Sequence, residues 1–350
     1  MLKIGYMNNK ILITGSGGLV GSEAVEFYCK KGFDVVGVDN NYRKYFFGEN
    51  GSVLWRLNEL KKNKNYKHLF LDISKINEID TVFKDYGPFD LIIHAAAQPS
   101  HDWACKEPLT DFSINAVGTL NLLEKYRLYS PDAVFIFTST NKVYGDTSNY
   151  FDYDENETRF FPKDKKFENG FNENISIDNC LHSIFGASKV SADILVQEYG
   201  KYFNLKTAVF RGGCLTGPKH SGVELHGFLS YLVKCCITET VYNIYGYNGK
   251  QVRDNIHSSD LISAFDCYYN SPKTNGVVYN IGGGVYSNCS VLEAIELIER
   301  YTNKKMKTNI INKERIGDHK WWISDTSKFK KEFPEWKQKY NLHKIIESFL

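Results

Sequence analysis

The sequence has little net charge, no long apolar run and no paired-cysteine motif. Its 350 residues include 43 basic and 41 acidic side chains, which gives a formal net charge of +2. A balance this close to neutral gives no electrostatic reason to expect nucleic acid or an anionic membrane as a partner. No stretch approaches the roughly 18 consecutive apolar residues that a membrane-spanning helix needs, and the N-terminus lacks the pattern of a secretory signal. We therefore expect neither membrane insertion nor secretion.

The cysteines also exclude two classes of protein. Eight are present, but none forms a C-x-x-C pair, and no histidine-rich spacing accompanies them. This distribution argues against a zinc ribbon and against a small disulfide-stapled scaffold. The sequence therefore predicts no metal site, reduced thiols and a cytoplasmic location.

What the sequence does have is a regular alternation of short apolar runs and amphipathic stretches. Strands are predicted at 10–14, 34–39, 68–72, 90–94, 133–137 and 207–210, and helices at 18–31, 52–63, 108–129 and 183–203. Continuous apolar strands joined by helical crossovers indicate a parallel sheet that is covered on both faces. We predict an α/β fold with a doubly wound, Rossmann-like sheet.

The pattern also predicts two domains. Residues 1–210 form the nucleotide-binding domain, and 211–350 form a smaller C-terminal lid that binds substrate, with segments around 258–280 packing back on the first domain. Residues 147–182 form an insertion-like loop that shows no clear period. A loop of this length in a compact domain is usually functional or mobile.

The segment Thr14-Gly15-Ser16-Gly17-Gly18-Leu19-Val20-Gly21 joins the first predicted strand to the first helix. Gly15 permits a tight turn, Gly18 lets the backbone approach a pyrophosphate, and Gly21 allows the helix to pack closely on the sheet. The unpaired N–H groups at the start of the helix favour phosphate. A glycine triplet alone is weak evidence, because any tight strand–helix turn uses glycine.

An acidic residue at the end of the second strand strengthens the prediction of a dinucleotide site. Asp39, followed by Asn40, stands about 20 residues after the glycine loop, where a carboxylate binds the ribose diol of NAD. The carboxylate would repel a 2′-phosphate, so NAD is favoured over NADP. The nearby Arg43 leaves NADP as an alternative.

With these residues in place, the chain resembles the extended short-chain dehydrogenase/reductase family, which includes nucleotide-sugar epimerases and dehydratases. The resemblance covers almost the whole chain. Its motifs follow in order: TGSGGLVGS (14–22), LDI (71–73), HAAA (94–97), NAVGTLNLLE (115–124), STNKVYGD (139–146), FGASK (185–189), FRGGCLTGP (210–218) and GKQVRD (249–254). Within the family, STNKVYGD, GKQVRD and YNIGGG (279–284) are most similar to the CDP-paratose 2-epimerases.

The resemblance implies further cofactor contacts. The residues that would surround NAD are Gly15, Gly18, Leu19, Val20, Gly21, Asp39, Asn40, Asp72, Ile73, Ala95, Ala96, Ala97, Asn115 and Lys189. Asp72 and Ile73 would lie beside the adenine, and the three alanines would line the cofactor where larger side chains would collide. Asn115 would stabilise the helix and loop below the nicotinamide.

The catalytic positions implied by the resemblance contain one departure. Thr140 would bond the sugar oxygen that is oxidised, and Lys189 would bond the nicotinamide ribose. The family places Tyr four residues before the Lys, but this chain has Phe185, which has no hydroxyl to exchange a proton. Three interpretations stay open: a Tyr→Phe variant made to trap substrate, a natural enzyme with another base, or a protein that binds cofactor without catalysis.

Other groups could replace the missing base, and some could contact substrate. The candidate bases are Tyr144, Lys142, His101, Cys214 and His226. The candidate substrate-binding residues are His101, Lys142, His226, Gln251 and Arg253, the last two implied by the resemblance as a grip on the nucleotide diphosphate. A plain loop histidine, a solvated lysine and an Arg–Asp surface pair are the simpler alternatives.

Together these features predict an NAD-dependent nucleotide-sugar epimerase, with a CDP-sugar favoured and CDP-paratose as the first candidate. The alternatives are a C4 epimerase, a 4,6-dehydratase or a dehydrogenase on a related sugar, or a binding protein without turnover. Asn141 and Lys142 stand where a dehydratase usually carries an acidic pair, which counts against that alternative. The resemblance also implies a homodimer through the helices at 108–129 and 183–203.

Overall fold

A computed structural model describes residues 9–224, 226–314 and 317–350 of the chain. Its strands are β1 (Lys10–Thr14), β2 (Asp34–Val38), β3 (Tyr66–Leu69), β4 (Leu91–His94), β5 (Val134–Thr140), β6 (Tyr153–Glu155), β7 (Phe160–Pro162), β8 (Lys206–Gly212), β9 (Cys214–Thr216), β10 (Tyr242–Tyr245), β11 (Val252–His257), β12 (Val277–Ile281), β13 (Asn288–Ser290), β14 (Thr308–Ile311) and β15 (Trp321–Trp322). Its α-helices are α1 (Leu19–Lys30), α2 (Tyr42–Phe47), α3 (Leu54–Leu60), α4 (Ile76–Tyr86), α5 (His101–Lys106), α6 (Pro108–Phe112), α7 (Gly118–Tyr129), α8 (Ser183–Tyr202), α9 (Phe228–Thr238), α10 (Ser258–Asn270), α11 (Val291–Thr302), α12 (Ser327–Glu332) and α13 (Leu342–Glu347).

The main sheet is parallel and runs in the order β12-β8-β5-β4-β1-β2-β3. Successive residues of β1 enter opposite apolar layers, because side chains alternate across a strand. Ile11 and Ile13 belong to one layer and Leu12 to the other, and all three are fully buried. The predicted α/β fold with a doubly wound parallel sheet is thus present.

The position of β1 fixes where a ligand can bind. Thr14, at its carboxyl end, pairs with Val38 of β2 on one side and His94 of β4 on the other. The chain leaves β1 in one direction along the sheet and returns to build the sheet in the other. The loops after β1 and β4 therefore diverge and leave a crevice at this edge, which is the usual ligand site of an open α/β sheet.

The second half of the chain contributes to both parts of the molecule. Strand β12 pairs with β8 at the edge of the main sheet, and α10 packs against α1. The remaining strands form smaller sheets, in which β11 pairs with β9, β13 and β15, and β10 pairs with β14. Both tryptophans of β15 are buried in an apolar cluster with Phe171 and Tyr144.

The segment 147–182 is anchored to the second half of the chain. It contains the hairpin β6–β7, and the Phe160 N–H donates to the carbonyl of Lys250 at 3.1 Å. Further along, the Phe171 N–H donates to the carbonyl of Ile323 at 2.7 Å. These bonds join the insertion to the small sheets.

Several predicted boundaries were wrong. The third strand was predicted at 68–72 but ends at Leu69, because Asp72 begins a turn. Its N–H donates to the Glu78 carboxylate at 2.6 Å, and its own carboxylate accepts the Ser74 N–H at 2.9 Å. Helix α3 is shorter than the predicted 52–63, and α4 was not predicted. The stretch predicted as one helix at 108–129 contains a π-helical turn at Ser113–Val117.

No helix in the described ranges is long and apolar enough to cross a membrane.

Candidate active site

A cleft of about 790 Å³ lies at the carboxyl edge of the main sheet and extends under the lid. This volume is within the range of sites for small molecules and cofactors. The predicted site residues that line it are Gly15, Gly18, Leu19, Val20, Gly21, Asp39, Asn40, Asp72, Ile73, Ala95, Ala96, Ala97, His101, Thr140, Lys142, Phe185, Lys189, His226, Gln251 and Arg253. Two of the residues considered from the sequence, Asn115 and Tyr144, are buried and are not among the residues that line the cleft.

The three predicted glycines of the β1–α1 turn have different surroundings. Gly15 has a φ of +69°, and a Cβ there would lie 2.7 Å from the backbone nitrogen of Ala96. A Cβ on Gly21 would overlap the carbonyl oxygen of Gly15. At Gly18 a Cβ would meet only that same oxygen, at 3.3 Å, and would otherwise enter open space. Gly15 and Gly21 are thus required by packing, whereas Gly18 keeps the cleft open.

Asp39 is held by two backbone donors. Its Oδ2 accepts the Gly17 N–H at 2.9 Å, and its Oδ1 accepts the Asn41 N–H at 2.7 Å. Burial raises the pKa of Asp39, while these bonds and the nearby Arg43 oppose the rise. Because a carboxylate oxygen can accept more than one hydrogen bond, each oxygen can also bind a ribose hydroxyl.

Arg43 links this end of the cleft to the lid. Its guanidinium donates to the carbonyl of Ser221 at 2.9 Å and lies 3.3 Å from Nδ1 of His226. His226 also contacts His220 at 3.2 Å, so this predicted substrate residue lies beside Arg43 at the Asp39 end of the cleft. Burial lowers the pKa of Arg43 to about 10 and that of His226 well below its usual value. Since Arg43 is bound to the lid, a free ribose diol fits beside Asp39 better than a 2′-phosphate.

Asn115 organises the wall behind the cleft. Its side-chain oxygen accepts the Gln98 N–H at 2.9 Å. Its amide donates to the Gln98 carbonyl, to Asp111 and to the hydroxyl of Ser188, at 3.0–3.1 Å. The residue lies in the π-helical turn and ties the loop after β4 to α8. It therefore supports the cleft without lining it.

The predicted catalytic positions meet where β5 and α8 border the cleft. Thr140 ends β5, and its hydroxyl accepts the Lys142 N–H at 3.2 Å. Lys189 is buried, donates to the carbonyl of Thr138 at 3.1 Å, and lies over the Phe137 ring at 4.3 Å. Burial lowers the pKa of Lys189 to about 8. Phe185, on α8 with Lys189, also lines the cleft.

On the lid side, cationic and amide groups line the cleft. Arg253 forms an ion pair with Asp318, and Nζ of Lys142 donates to the carbonyl of Gly317 at 2.7 Å. Burial lowers the pKa of Lys142 to about 8, although Asp318 acts in the opposite direction. The amide nitrogen of Gln251 donates to the carbonyl of Tyr245 at 3.0 Å, and its buried Oε1 has no hydrogen-bond partner among the described residues.

The cleft fits a dinucleotide. The α1 N-terminus and the open side of Gly18 suit a pyrophosphate, since backbone N–H groups and the helix dipole favour anions there. Ala95, Ala96 and Ala97, next to the glycine turn, line the cleft with small side chains. Asp39 provides the acceptor for a ribose. These residues would hold the cofactor, and Lys189 would hold its far end.

Sequence reasoning missed some of the polar residues in the cleft. Asp318, which pairs with Arg253, gave no signal because its partner is 65 positions away. Ser183 follows an irregular loop, yet its φ of +63° and its contact with His101 make it part of the site. Glu224 accepts hydrogen bonds from Asn243 at 2.7 Å and from Tyr245 at 3.2 Å. Asp318, Ser183 and Glu224 come from segments whose composition gives no sign of a site.

Comparisons with known proteins identify relatives in sequence and in fold. Residues 11–282 match the model of the "NAD dependent epimerase/dehydratase family". The chain is 35% identical over 326 residues to CDP-paratose 2-epimerase of Salmonella typhi, covering 91% of this chain and 92% of that protein. It is 29% identical to UDP-glucuronate 4-epimerase of Thermodesulfobacterium geofontis, covering 91% and 88%. The fold is similar to UDP-glucuronic acid 4-epimerase of Bacillus cereus, solved with NAD and UDP-glucuronic acid, with a TM-score of 0.78, 23% identity and 97% of each chain covered.

Proposed function

This chain belongs to the NAD dependent epimerase/dehydratase family, and we propose that it is a CDP-sugar 2-epimerase whose substrate is CDP-paratose. The family resemblance, the Rossmann-like fold, the NAD cofactor and the class of NAD-dependent nucleotide-sugar epimerase were all predicted from the sequence and are confirmed. The choice of CDP and of paratose is the proposal. It is supported by the relative that is 35% identical over nearly the whole chain.

One observation carries the epimerase part of this function: a single cleft is lined both by the residues that suit a dinucleotide and by the predicted catalytic and substrate-binding residues. Asp39 and Gly18 border its cofactor part. Thr140 and Lys189 border its middle, and Arg253 approaches from the lid. A sugar bound between the lid and β5 would therefore lie next to the nicotinamide. The chemistry that bound NAD supplies is uptake of a hydride from the sugar carbon and its return, with no net redox change.

The chain's own residues would bind and orient. The Thr140 hydroxyl lies in the cleft and would hydrogen-bond the sugar oxygen that loses its proton. Lys189 uses one N–H on Thr138, which leaves two for the nicotinamide ribose. The Arg253 guanidinium offers parallel donors for diphosphate oxygens, and this binding would replace its bond to Asp318.

We also propose a homodimer, formed through α6, α7 and α8. These elements carry large apolar side chains that are exposed in the single chain: Leu109, Phe112, Leu128, Ile184, Ile194 and Tyr202. Exposed apolar surface of this kind marks interaction sites on soluble proteins. We expect a dimer by analytical ultracentrifugation and a monomer after Ile194→Glu combined with Leu109→Glu. A monomeric wild-type chain would refute this part.

A cytoplasmic location is part of the same proposal. All eight cysteines are free thiols, and Cys29, Cys235, Cys236 and Cys289 are buried. Buried unpaired thiols are typical of proteins that work in a reducing compartment.

The function is tested by NMR with CDP-paratose in D₂O, following the proton at C2 of the sugar. We expect conversion to CDP-tyvelose with the C2 position still carrying protium, because a hydride held on the cofactor does not exchange with solvent. Lys189→Met should abolish conversion, whereas the surface substitution Lys206→Met should not.

Three outcomes separate the alternatives. Deuterium at C2 would refute return of the same hydride. If the wild type is silent but Phe185→Tyr converts the sugar, the substrate is right and Phe185 disables the site. If both are silent with CDP-paratose but oxidise or bind another nucleotide sugar, the CDP-paratose assignment is wrong.

A further inference from the structure

The aromatic ring at position 185 has one notable neighbour in the cleft. The imidazole of His101, at the start of α5, packs against Phe185 with ring centroids 4.7 Å apart and planes 52° apart. Both side chains line the cleft. A titratable ring therefore lies in direct contact with the position where the family has its tyrosine.

Ser183 fixes the orientation of this imidazole. Its hydroxyl lies 3.0 Å from Nδ1 of His101, and the same oxygen accepts the Gly186 N–H at 3.3 Å. Ser183 adopts a φ of +63°, which is unfavourable for a residue with a Cβ. Such strain, held in place by surrounding structure, is found mostly at functional sites.

Two candidate bases are excluded, one by its contacts and one by its protonation state. The Tyr144 hydroxyl donates to Asn280 at 2.8 Å and accepts from Arg211 at 2.9 Å, behind the wall of the cleft. Burial also raises the pKa of Tyr144 to about 12. Cys214 lines the cleft, but burial raises the pKa of its thiol to about 11, so it stays protonated near neutral pH.

The other two candidates are placed away from residue 185. His226 lies beside Arg43, at the Asp39 end where the adenosine ribose would bind. Lys142 is bonded to the lid carbonyl of Gly317. Neither makes a ring or hydrogen-bond contact with Phe185 in the described part of the chain.

We propose that His101 is the catalytic acid–base residue of this chain, in place of the absent tyrosine hydroxyl, with Ser183 as its positioning residue. The proposal rests on the proposed function. In the tautomer whose Nδ1–H donates to the Ser183 oxygen, Nε2 is the atom that would accept the proton. Ser183 would then accept from Nδ1–H both before and after this transfer, so the pair would need no rearrangement.

His101 would take the proton as the sugar O–H bond breaks, leaving an imidazolium protonated at Nε2. Bound NAD would supply the acceptor for the hydride that leaves the sugar carbon, so that a C=O bond can form on the sugar. When the hydride is given back to the other face of that carbon, the imidazolium would return its proton to the oxygen, and no net redox change results.

The test uses the full chain and compares His101→Ala, Phe185→Tyr and the double variant. General acid–base catalysis contributes about 10²–10⁴-fold, so we expect His101→Ala to lower kcat at least 100-fold with NAD binding unchanged. In the Phe185→Tyr background the same change should cost less than 10-fold, because the tyrosine hydroxyl then carries the proton. Added imidazole should restore part of the activity of His101→Ala but not of Lys189→Met. His343→Gln, on the distant helix α13, is the matched control.

Ser183→Ala separates positioning from packing. It should lower kcat with little change in KM, and the loss should disappear in the Phe185→Tyr background. If His101→Ala disturbs folding, His101→Asn keeps a polar group near Nδ1 but removes Nε2, and it should lose activity equally.

The contrary outcomes separate the role of His101 from the proposed function. Wild-type turnover by His101→Ala would overturn the proposal and leave the proposed function standing. An inactive wild type with an active Phe185→Tyr variant would also overturn the proposal, and only the assignment of the substrate would stand. If Phe185→Tyr also fails on every nucleotide sugar, the proposed function falls, and the role of His101 falls with it.

Discussion

At two glycines of the β1–α1 turn, the same change to alanine should affect two different properties of the protein. Gly21→Ala places a Cβ on the carbonyl oxygen of Gly15, so backbone must move. Gly18→Ala meets that oxygen at 3.3 Å, in an extended conformation that alanine readily adopts, and its Cβ otherwise projects into the cleft. We expect the first change to reduce stability and the second to reduce NAD binding.

The magnitudes follow from chain length and general costs. An unfolding entropy of about 2.1 cal/mol/K per residue gives about 1.4 °C of Tm per kcal/mol for a chain of this size. Overpacking costs about 1–3 kcal/mol, so Gly21→Ala should lower the Tm of the cofactor-free protein by about 1–4 °C. Gly18→Ala should stay within about 1 °C, because a Gly→Ala change in an allowed conformation shifts stability by less than about 1 kcal/mol.

The rise in Tm on adding NAD should be smaller for Gly18→Ala than for the wild type. NAD at 100 times the wild-type Kd stabilises by about 2.7 kcal/mol, which is about 4 °C here. If the Gly18 methyl costs about 2 kcal/mol of binding, Kd rises about 30-fold and the gain falls to about 1 °C. The assay is thermal unfolding of cofactor-stripped protein with and without NAD. A full NAD shift in Gly18→Ala, or an unchanged cofactor-free Tm in Gly21→Ala, would refute this account of the turn.

Three further predictions concern buried polar groups. Asn115→Ala should lower the free energy of unfolding by about 1–3 kcal/mol in urea titrations, because it leaves the Gln98 N–H without its acceptor; an unchanged midpoint would contradict this. Asp193→Ala should cost about 3–5 kcal/mol, because it leaves Arg211 buried without its 2.8 Å ion-pair partner, whereas the double change to Asp193→Ala and Arg211→Met should cost less. The pKa of Lys189 in the fold, about 8, lies below its unfolded value, so its charge opposes folding below pH 8 and this cost disappears as pH rises toward 10. Lys189→Met should therefore flatten the rise of unfolding free energy between pH 8 and 10 in cofactor-free protein, and an unchanged slope would count against it.

The fold and much of the cleft were predictable because the relevant signals are local. The apolar run Ile11–Ile13, the glycines after it and Asp39 lie within one strand–helix–strand unit, and each has a direct physical role there. The third strand was misplaced because Leu71 looks like strand, whereas its neighbour Asp72 is committed to a turn by Glu78 and Ser74. Side-chain bonds of this kind override apolar patterning.

The parts that sequence reasoning missed depend on contacts between distant segments. Asp318 meets Arg253 only when β15 pairs with β11, and Ser183 meets His101 only when α8 packs on α5. The π-helical turn at Asn115 likewise reflects its bonds to the loop after β4, not the propensity of its own sequence. These contacts form only in the tertiary structure, so no local sequence pattern could reveal them.

The bridge from Arg43 to the lid has a consequence for cofactor exchange. A dinucleotide bound beside Asp39 lies next to a guanidinium that is bonded to Ser221 and close to His226. Movement of Ser221 and His226 away from Arg43 would break these contacts. A hydrogen bond to a charged group contributes about 1.5–3 kcal/mol, which would slow release by about 10–150-fold. For an epimerase this retention has no disadvantage, since each turnover regenerates the oxidised cofactor. The direction of the reaction would then be independent of the cell's ratio of NAD to NADH.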